Sequence, residues 1–182
     1  MTIVYITSEN PYMLDNNGGI GTYTKIIAEG MAAWGYKTYL ITLGPDECCK
    51  SINGVYVIQE RRVKSCSKSY ANEMELFTQV VTQLAQVQSI DLIECPEWHA
   101  PGLLLARAHF PIITRLHTPL FLIEKLSGGK IYRDSYVISD MEREQTALSL
   151  GVTSPSTSLA KIVQEAWGIK ATVIPNPIVG PI

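Results

Sequence analysis

The sequence predicts a doubly wound α/β fold built on a mostly parallel sheet. Short apolar runs rich in β-branched residues alternate with stretches of helical period, the pattern left by successive βαβ units. Hydrophobic residues form 46% of the 182-residue chain and charged ones only 18%, below the ~25% usual for soluble domains. A parallel sheet covered on both faces produces that deficit, and so does a face that meets another domain. The length suits one core.

The first strand is predicted at Ile3 to Thr7. Beyond a polar loop, Tyr23, Ile26, Ile27, Gly30, Met31 and Trp34 recur at steps of three and four, which places them on one helix face against the sheet. Gly30 costs about 1 kcal/mol relative to Ala in a helix, so it signals either a close helix-to-strand approach or plain tolerance. Gly35 follows at a C-cap position. Strands are expected at Lys37 to Leu43 and at Val55 to Gln59, and the stretch between them, with Cys48 and Cys49, reads as loop. The basic segment Arg61 to Lys68 reads as solvated loop, and Met74, Phe77, Val80, Val81, Leu84 and Val87 then mark the next helix. Asp91 to Cys95 gives a strand stopped by Pro96, a short helix spans about Pro101 to His109, and Pro111 to Leu116 returns to strand. Gly128-Gly129 forms a flexible connection to a helix from about Tyr136 to Leu150, with Met141 and Leu148 inward. Val152 to Ser154 is a short strand. Ser156 or Ser158 N-caps a helix holding Leu159, Ile162, Val163, Ala166 and Trp167, Gly168 ends it, and Thr172 to Ile174 runs into Pro175-Asn176-Pro177.

Composition narrows the function. Fifteen basic against seventeen acidic residues leave a net charge of −2, which excludes an electrostatic nucleic-acid binder. Cys48, Cys49, Cys66 and Cys95 show no CxxC spacing and no histidine pattern, so no structural metal is expected. The N-terminus lacks a basic region and a long apolar run, and no stretch reaches the ~18 apolar residues of a membrane span. A reduced, cytoplasmic protein is expected, with peripheral membrane contact left open.

Ligands of open parallel sheets bind beyond the carboxyl ends of the strands. After the first strand, Asn16-Asn17-Gly18-Gly19-Ile20-Gly21 leads into a helix, where bare amides and the helix N-terminus suit a phosphate. The competing reading is a turn that needs glycine only for its backbone geometry. Walker A fails because Gly129-Lys130 is followed by Ile131, and a dinucleotide fold fails because Ile41, Thr42 and Leu43 stand where its acidic residue belongs. There is no Gly-x-Ser-x-Gly elbow. After the next inner strands come Glu97-Trp98-His99 and His117-Thr118-Pro119. His117 can donate to a ligand or move a proton, Glu97 can accept from hydroxyls, and Trp98 can stack on a sugar. Structural roles compete with each: His117 on a carbonyl, Glu97 as a cap, Trp98 in the core. Together, at the ends of adjacent strands, they point to a ligand site.

The chain resembles the N-terminal half of family 4 glycosyltransferases, which have the GT-B fold of two facing Rossmann-like domains. The carriers are Gly18-Gly19-Ile20-Gly21, Trp34-Gly35-Tyr36, Asp91 to Trp98, Leu116-His117-Thr118-Pro119, Met141-Glu142-Arg143-Glu144, Val152 to Leu159 and Val173-Ile174-Pro175-Asn176-Pro177. The resemblance implies retaining transfer of a sugar from a nucleotide-sugar donor to an acceptor hydroxyl, with no obligatory metal or other cofactor. It places the donor phosphates at Gly18, Gly19, Ile20 and Gly21, assigns the catalytic histidine to His117, and leaves Asn16, Glu97, Trp98, His99 and Thr118 for the acceptor or sugar. It also divides the chain into an acceptor-side domain, 1–175, and the start of an interdomain linker, 176–182, so that the donor-binding domain is missing or is a separate subunit. The isolated chain is then expected to be nearly inactive. Two rivals stand beside it: a non-catalytic sugar- or phosphate-binding module, and a Rossmann-type enzyme with an unrecognised cofactor.

Overall fold

The computed structural model describes residues 1–13, 18–62 and 69–177. β1 (Thr2–Thr7) is buried along its length and sends alternate side chains to opposite faces. Ile3 and Tyr5 pack with Ala28 of α1 (Gly19–Ala33) and Leu40 of β2 (Lys37–Gly44). Val4 and Ile6 pack with Phe77 and Val81 of α2 (Ser69–Val87) and Ile93 of β5 (Leu92–Pro96). One sheet therefore has a core on each side, which explains the low charge fraction.

β1 pairs in parallel with β2 on one side and β5 on the other, with Ile3 opposite Thr38 and Leu92. Outward from β2 lie β4 (Val55–Arg61) and the edge strand β3 (Cys48–Ile52); outward from β5 lie β6 (Ile112–Arg115), β7 (Gly151–Ser154) and β8 (Thr172–Val173). The order reverses between β1 and β5, so the ligand crevice belongs at their carboxyl ends. The remaining helices are α3 (Leu103–Arg107), α4 (Leu120–Ser127), α5 (Ser135–Leu148) and α6 (Thr157–Trp167).

Gly35 and Gly168 lie at positive φ after α1 and α6, and Ser156 caps α6 by accepting the Leu159 N–H, all as the sequence predicts. Several expectations are corrected. The stretch read as loop contains β3, antiparallel to β4 and joined by Asn53-Gly54, both at positive φ as a tight hairpin turn requires. Helix α4 was not foreseen: it covers barely two turns after Pro119, too few for a period, and stops at Gly128 with φ 74°. Trp34 caps α1 at 78% exposure, Leu148 ends α5 exposed, and a Cβ on Gly30 would meet nothing within 4 Å, so Gly30 is tolerated and marks no close approach. Among the described residues no helix is long and apolar enough to cross a membrane.

Candidate functional site

β1 runs into Glu9, and α1 begins at Gly19 with no side-chain cap from Gly18. The cap comes from twelve residues upstream: Glu9 Oε2 accepts the Gly21 N–H at 2.6 Å. A carboxylate on a helix N-terminus is favoured by the helix dipole. Gly18 makes room for it, since a Cβ there would lie 2.5 Å from Glu9 Oε1. Gly18 and Gly19 are exposed and Ile20 half-buried, whereas Gly21 is buried with its amide engaged. Glu9 holds the Gly21 N–H, and the open part of the turn is Gly18-Gly19. Asn16 lies outside the described residues.

Facing that turn across a cavity of about 410 Å³ are Asn176 and Pro177, with Tyr23 and Thr22 among the other lining residues. Tyr23 is tied from three sides. Its hydroxyl donates to Glu94 at 3.0 Å, the Arg115 guanidinium stands 4.6 Å from its ring centre, and the His117 ring meets it edge-on at 5.3 Å. Arg115, buried at the end of β6, also donates to the Ile174 carbonyl at 2.8 Å and to Asn176 Oδ1 at 2.6 Å, so it anchors the Pro-Asn-Pro segment to the sheet. Its Nε finds no acceptor among the described residues. Burial, and then the Glu94 charge, push the Tyr23 hydroxyl well above the ordinary phenol range, so it stays a neutral donor.

His117 follows β6 and is half-buried. Burial first and Arg115 second lower its imidazole to about 4, which leaves it neutral near pH 7: one ring nitrogen donates, the other accepts. The ring is thus suited to hydrogen bonding more than to carrying charge. Its backbone N–H is held by Glu97, whose two carboxylate oxygens lie 2.8 and 2.9 Å away. Glu97 is fully buried, and burial raises it to about 8 against the pull of the His117 N–H. The oxygens of Glu97 serve the His117 segment. The Thr118 hydroxyl likewise turns inward, donating to the His117 carbonyl at 2.6 Å.

Trp98 and His99 do sit together, their rings stacked at 4.5 Å and 20°. His99 and Ala100 both take left-handed backbone, φ 59° and 49°, a strained turn for non-glycine residues. The His99 N–H donates to Glu142 Oε1 at 3.0 Å, which holds the turn. His99 Nε2 is buried without a partner among the described residues, and burial lowers the ring to about 4. Tyr132 meets His99 edge-on at 5.4 Å. The structure thus brings Trp98 and His99 into one aromatic group and Gly18, Gly19 and Tyr23 into another, and His117 joins them, by its ring to Tyr23 and by its amide to Glu97.

Sequence reasoning missed Glu9, Arg115, Glu142 and Tyr132 as parts of the site. Arg115 carried a signal, a cation inside the apolar strand Ile112–Arg115, and so did Glu142, four residues from the buried Ile138 on one helix face. Glu9 and Tyr132 carried none, because each reaches its partners only through the chain fold. Among the described residues no three His, Cys, Asp or Glu side chains cluster as a metal would need.

The family described as Glycosyltransferase Family 4 matches residues 17–179. Comparison with curated protein sequences finds no match. Among solved structures, sucrose-phosphate synthase from Thermosynechococcus elongatus is similar at 16% identity and a TM-score of 0.66, covering 96% of this chain and 88% of that one. UGT2 of Phytolacca americana, complexed with UDP-2-fluoro-glucose and pterostilbene, is similar at 14% identity and a TM-score of 0.57, covering 98% of this chain and 55% of that one. The α,α-trehalose 6-phosphate synthase of Burkholderia multivorans gives 12% identity and a TM-score of 0.51, covering 96% and 49%. This chain spans about half the length of the last two. Identities this low speak for a shared fold.

Proposed function

The chain belongs to glycosyltransferase family 4, and from that premise we propose that it is the acceptor-side half of a retaining transferase that moves a sugar from a nucleotide-sugar donor to an acceptor hydroxyl. The observation that carries the reading is the cavity between the Gly18-Gly19 turn and Asn176-Pro177, floored by Tyr23 with the His117 ring against it. Donor phosphates approach Gly18, Gly19 and the Ile20 amide at the start of α1, where the helix N-terminus favours negative charge once Glu9 yields or shares the turn. His117, neutral and half-buried, orients the donor sugar by hydrogen bonding beside the reacting carbon. Trp98 and His99, with Thr118 and Asn16, receive the acceptor.

Catalysis in this scheme is positioning together with stabilisation of the leaving diphosphate, and no metal or other cofactor is required of this half. A second, donor-binding domain follows the segment 176–182 or comes from a separate subunit, so this half alone turns over little. A cytoplasmic setting, with peripheral membrane contact where the acceptor is lipid-borne, completes the reading. The UGT2 structure, complexed with UDP-2-fluoro-glucose and pterostilbene, supports this class of substrates.

The test is transfer by this chain combined with a donor-binding half, in wild-type and Gly19→Val forms. A Cβ on Gly19 meets nothing within 4 Å, so the variant is expected to keep the fold while its side chain crowds the turn. Turnover is expected to drop by about 100-fold, the scale of a misplaced reacting group. Unchanged turnover removes the phosphate role from the turn, and tight sugar or phosphate binding with no transfer in any combination favours a non-catalytic module.

A further inference from the structure

The segment between β6 and α4 holds the His117 ring against Tyr23, and every backbone donor along it has a traceable destination. The Leu116 N–H goes to the Thr153 carbonyl at 2.8 Å. The His117 N–H goes to both oxygens of Glu97, and the Thr118 backbone acts on the same carboxylate. Pro119 has no N–H. The Leu120 N–H goes to Glu142 Oε2 at 2.9 Å, while the other oxygen of Glu142 takes the His99 N–H at 3.0 Å. Two carboxylates from different elements, one after β5 and one on α5, thus pin the segment at its two ends.

Both are fully buried, and neither forms a salt bridge among the described residues. Unpaired buried carboxylates are costly, so apolar packing alone would not retain them. The contact geometry explains the need for an acid. Glu97 turns two oxygens to one N–H, and Glu142 gives each oxygen to a different N–H. When ionised, each carboxyl offers two acceptors and no donor to these N–H groups, whereas an amide carries an NH2 that can only donate.

We propose that Glu97 and Glu142 are positioning residues for the transfer reaction, fixing the orientation of the His117 ring from the two ends of its segment. The inference rests on the assignment of His117 made above; what it adds is the pair of residues through which that histidine is aimed. Neither carboxylate touches substrate. Glu97 acts through the His117 peptide, and Glu142 through Leu120 and the strained His99-Ala100 turn.

The experiment compares the wild-type chain with Glu97→Gln, Glu97→Asp and Glu142→Gln by amide NMR, and then by transfer in the presence of a donor-binding half. In Glu97→Gln the His117 amide proton should move upfield, its exchange with solvent should rise at least ~10-fold, and the ring-current shift from Tyr23 on the His117 ring should change while β1 and β2 amides stay in place. The kcat should fall by about 100-fold with KM within about threefold, and Glu97→Asp, which keeps both acceptors, should recover part of it. A folded Glu97→Gln chain with an unmoved His117 ring, or with a moved ring and full kcat, overturns the proposal. If Glu97→Gln does not fold, Glu142→Gln is read the same way from the Leu120 end. The wild-type chain gives a reading that needs no variant: the His117 amide shift should follow the ionisation of Glu97, which burial raises to about 8, and an amide that does not move when the Glu97 carboxyl ionises overturns the contact. A wild-type chain that never transfers defeats the proposed function, whereas one that transfers equally well without either carboxylate defeats only this inference.

Discussion

The turn that opens α1 and the segment that follows β6 both lie at the carboxyl edge of the sheet, yet they are held in opposite ways. Gly18 and Gly19 are exposed, and a Cβ on Gly19 would touch nothing. Their constraints are the half-buried side chain of Glu9, reaching back from β1 to the Gly21 N–H, and the Thr22 hydroxyl on the Gly18 carbonyl. The segment from Leu116 to Leu120 is fixed by four backbone contacts to buried groups and by the ring of Tyr23. One region is therefore adjustable and the other over-determined. That division suits the proposed site, in which His117 is aimed in advance and the glycine turn adjusts to a ligand, since preorganisation lowers the cost of reaching a reactive geometry.

The largest expected effect comes from breaking the rigid side. Glu142→Ala leaves the His99 and Leu120 amides without acceptors, and each unsatisfied buried donor costs ~1–3 kcal/mol. A loss of about 2–4 kcal/mol in urea unfolding is expected. A loss below about 0.5 kcal/mol would mean that water replaces the carboxylate and that the segment is as loosely held as the glycine turn.

The rigid side should also carry the pH dependence. Burial raises Glu97 to about 8 and Glu142 to about 7, whereas unfolded glutamates titrate near ~4.3. Between those values the folded chain binds more protons than the unfolded chain, so stability falls as pH rises and levels off above about 8. His99 and His117, lowered to about 4, act in the opposite sense: the unfolded chain holds their protons up to ~6.5, so they make stability rise over that lower range. The two trends oppose each other below ~6.5 and leave a net decline from there to about 8. Urea midpoints at pH ~6.5 and ~8.5 test this, and Glu97→Gln should flatten the decline. Equal wild-type midpoints would place these carboxyls in contact with solvent.

The alternation of Ile3 to Ile6, the glycine stops of α1 and α6, and the cap at Ser156 were legible because each is a local pattern with a local cause. Strand β3 was legible in principle, since Asn53-Gly54 is a strong hairpin signal, but its flanking Cys-Cys-Lys-Ser-Ile has no alternation to support it. At the site, sequence order put Glu97 and His117 at the ends of neighbouring strands, and the contact between them came only from the fold. A carboxylate after a strand looks alike whether it faces a ligand or a backbone amide twenty residues away; only the pairing of β5 with β6 decides. Trp34 fits the helical period, yet it stands past the last turn, where that period no longer points at the sheet.

The smallest effect is also the sharpest, because it separates two neighbouring glycines. A Cβ on Gly18 would lie 2.5 Å from Glu9 Oε1, closer than packed atoms allow, so Gly18→Ala must expel the carboxylate and take Oε2 off the Gly21 N–H. With no side-chain cap of its own, α1 then opens uncapped, at a cost of about 1 kcal/mol. One position later, Gly19→Ala adds a methyl that touches nothing, at the first residue of a helix and without a left-handed backbone, so its effect should stay within about 0.5 kcal/mol and lean towards stabilisation. Thermal midpoints of the two variants, measured beside Glu9→Ala and the Glu9→Ala/Gly18→Ala pair, give the coupling directly. If Glu9 is the cap, its removal already contains the Gly18 penalty and the double variant falls no further than Glu9→Ala alone. Additive losses would show that Gly18 is needed for its own backbone, and the glycine turn would then be fixed from within as firmly as the segment after β6 is fixed from without.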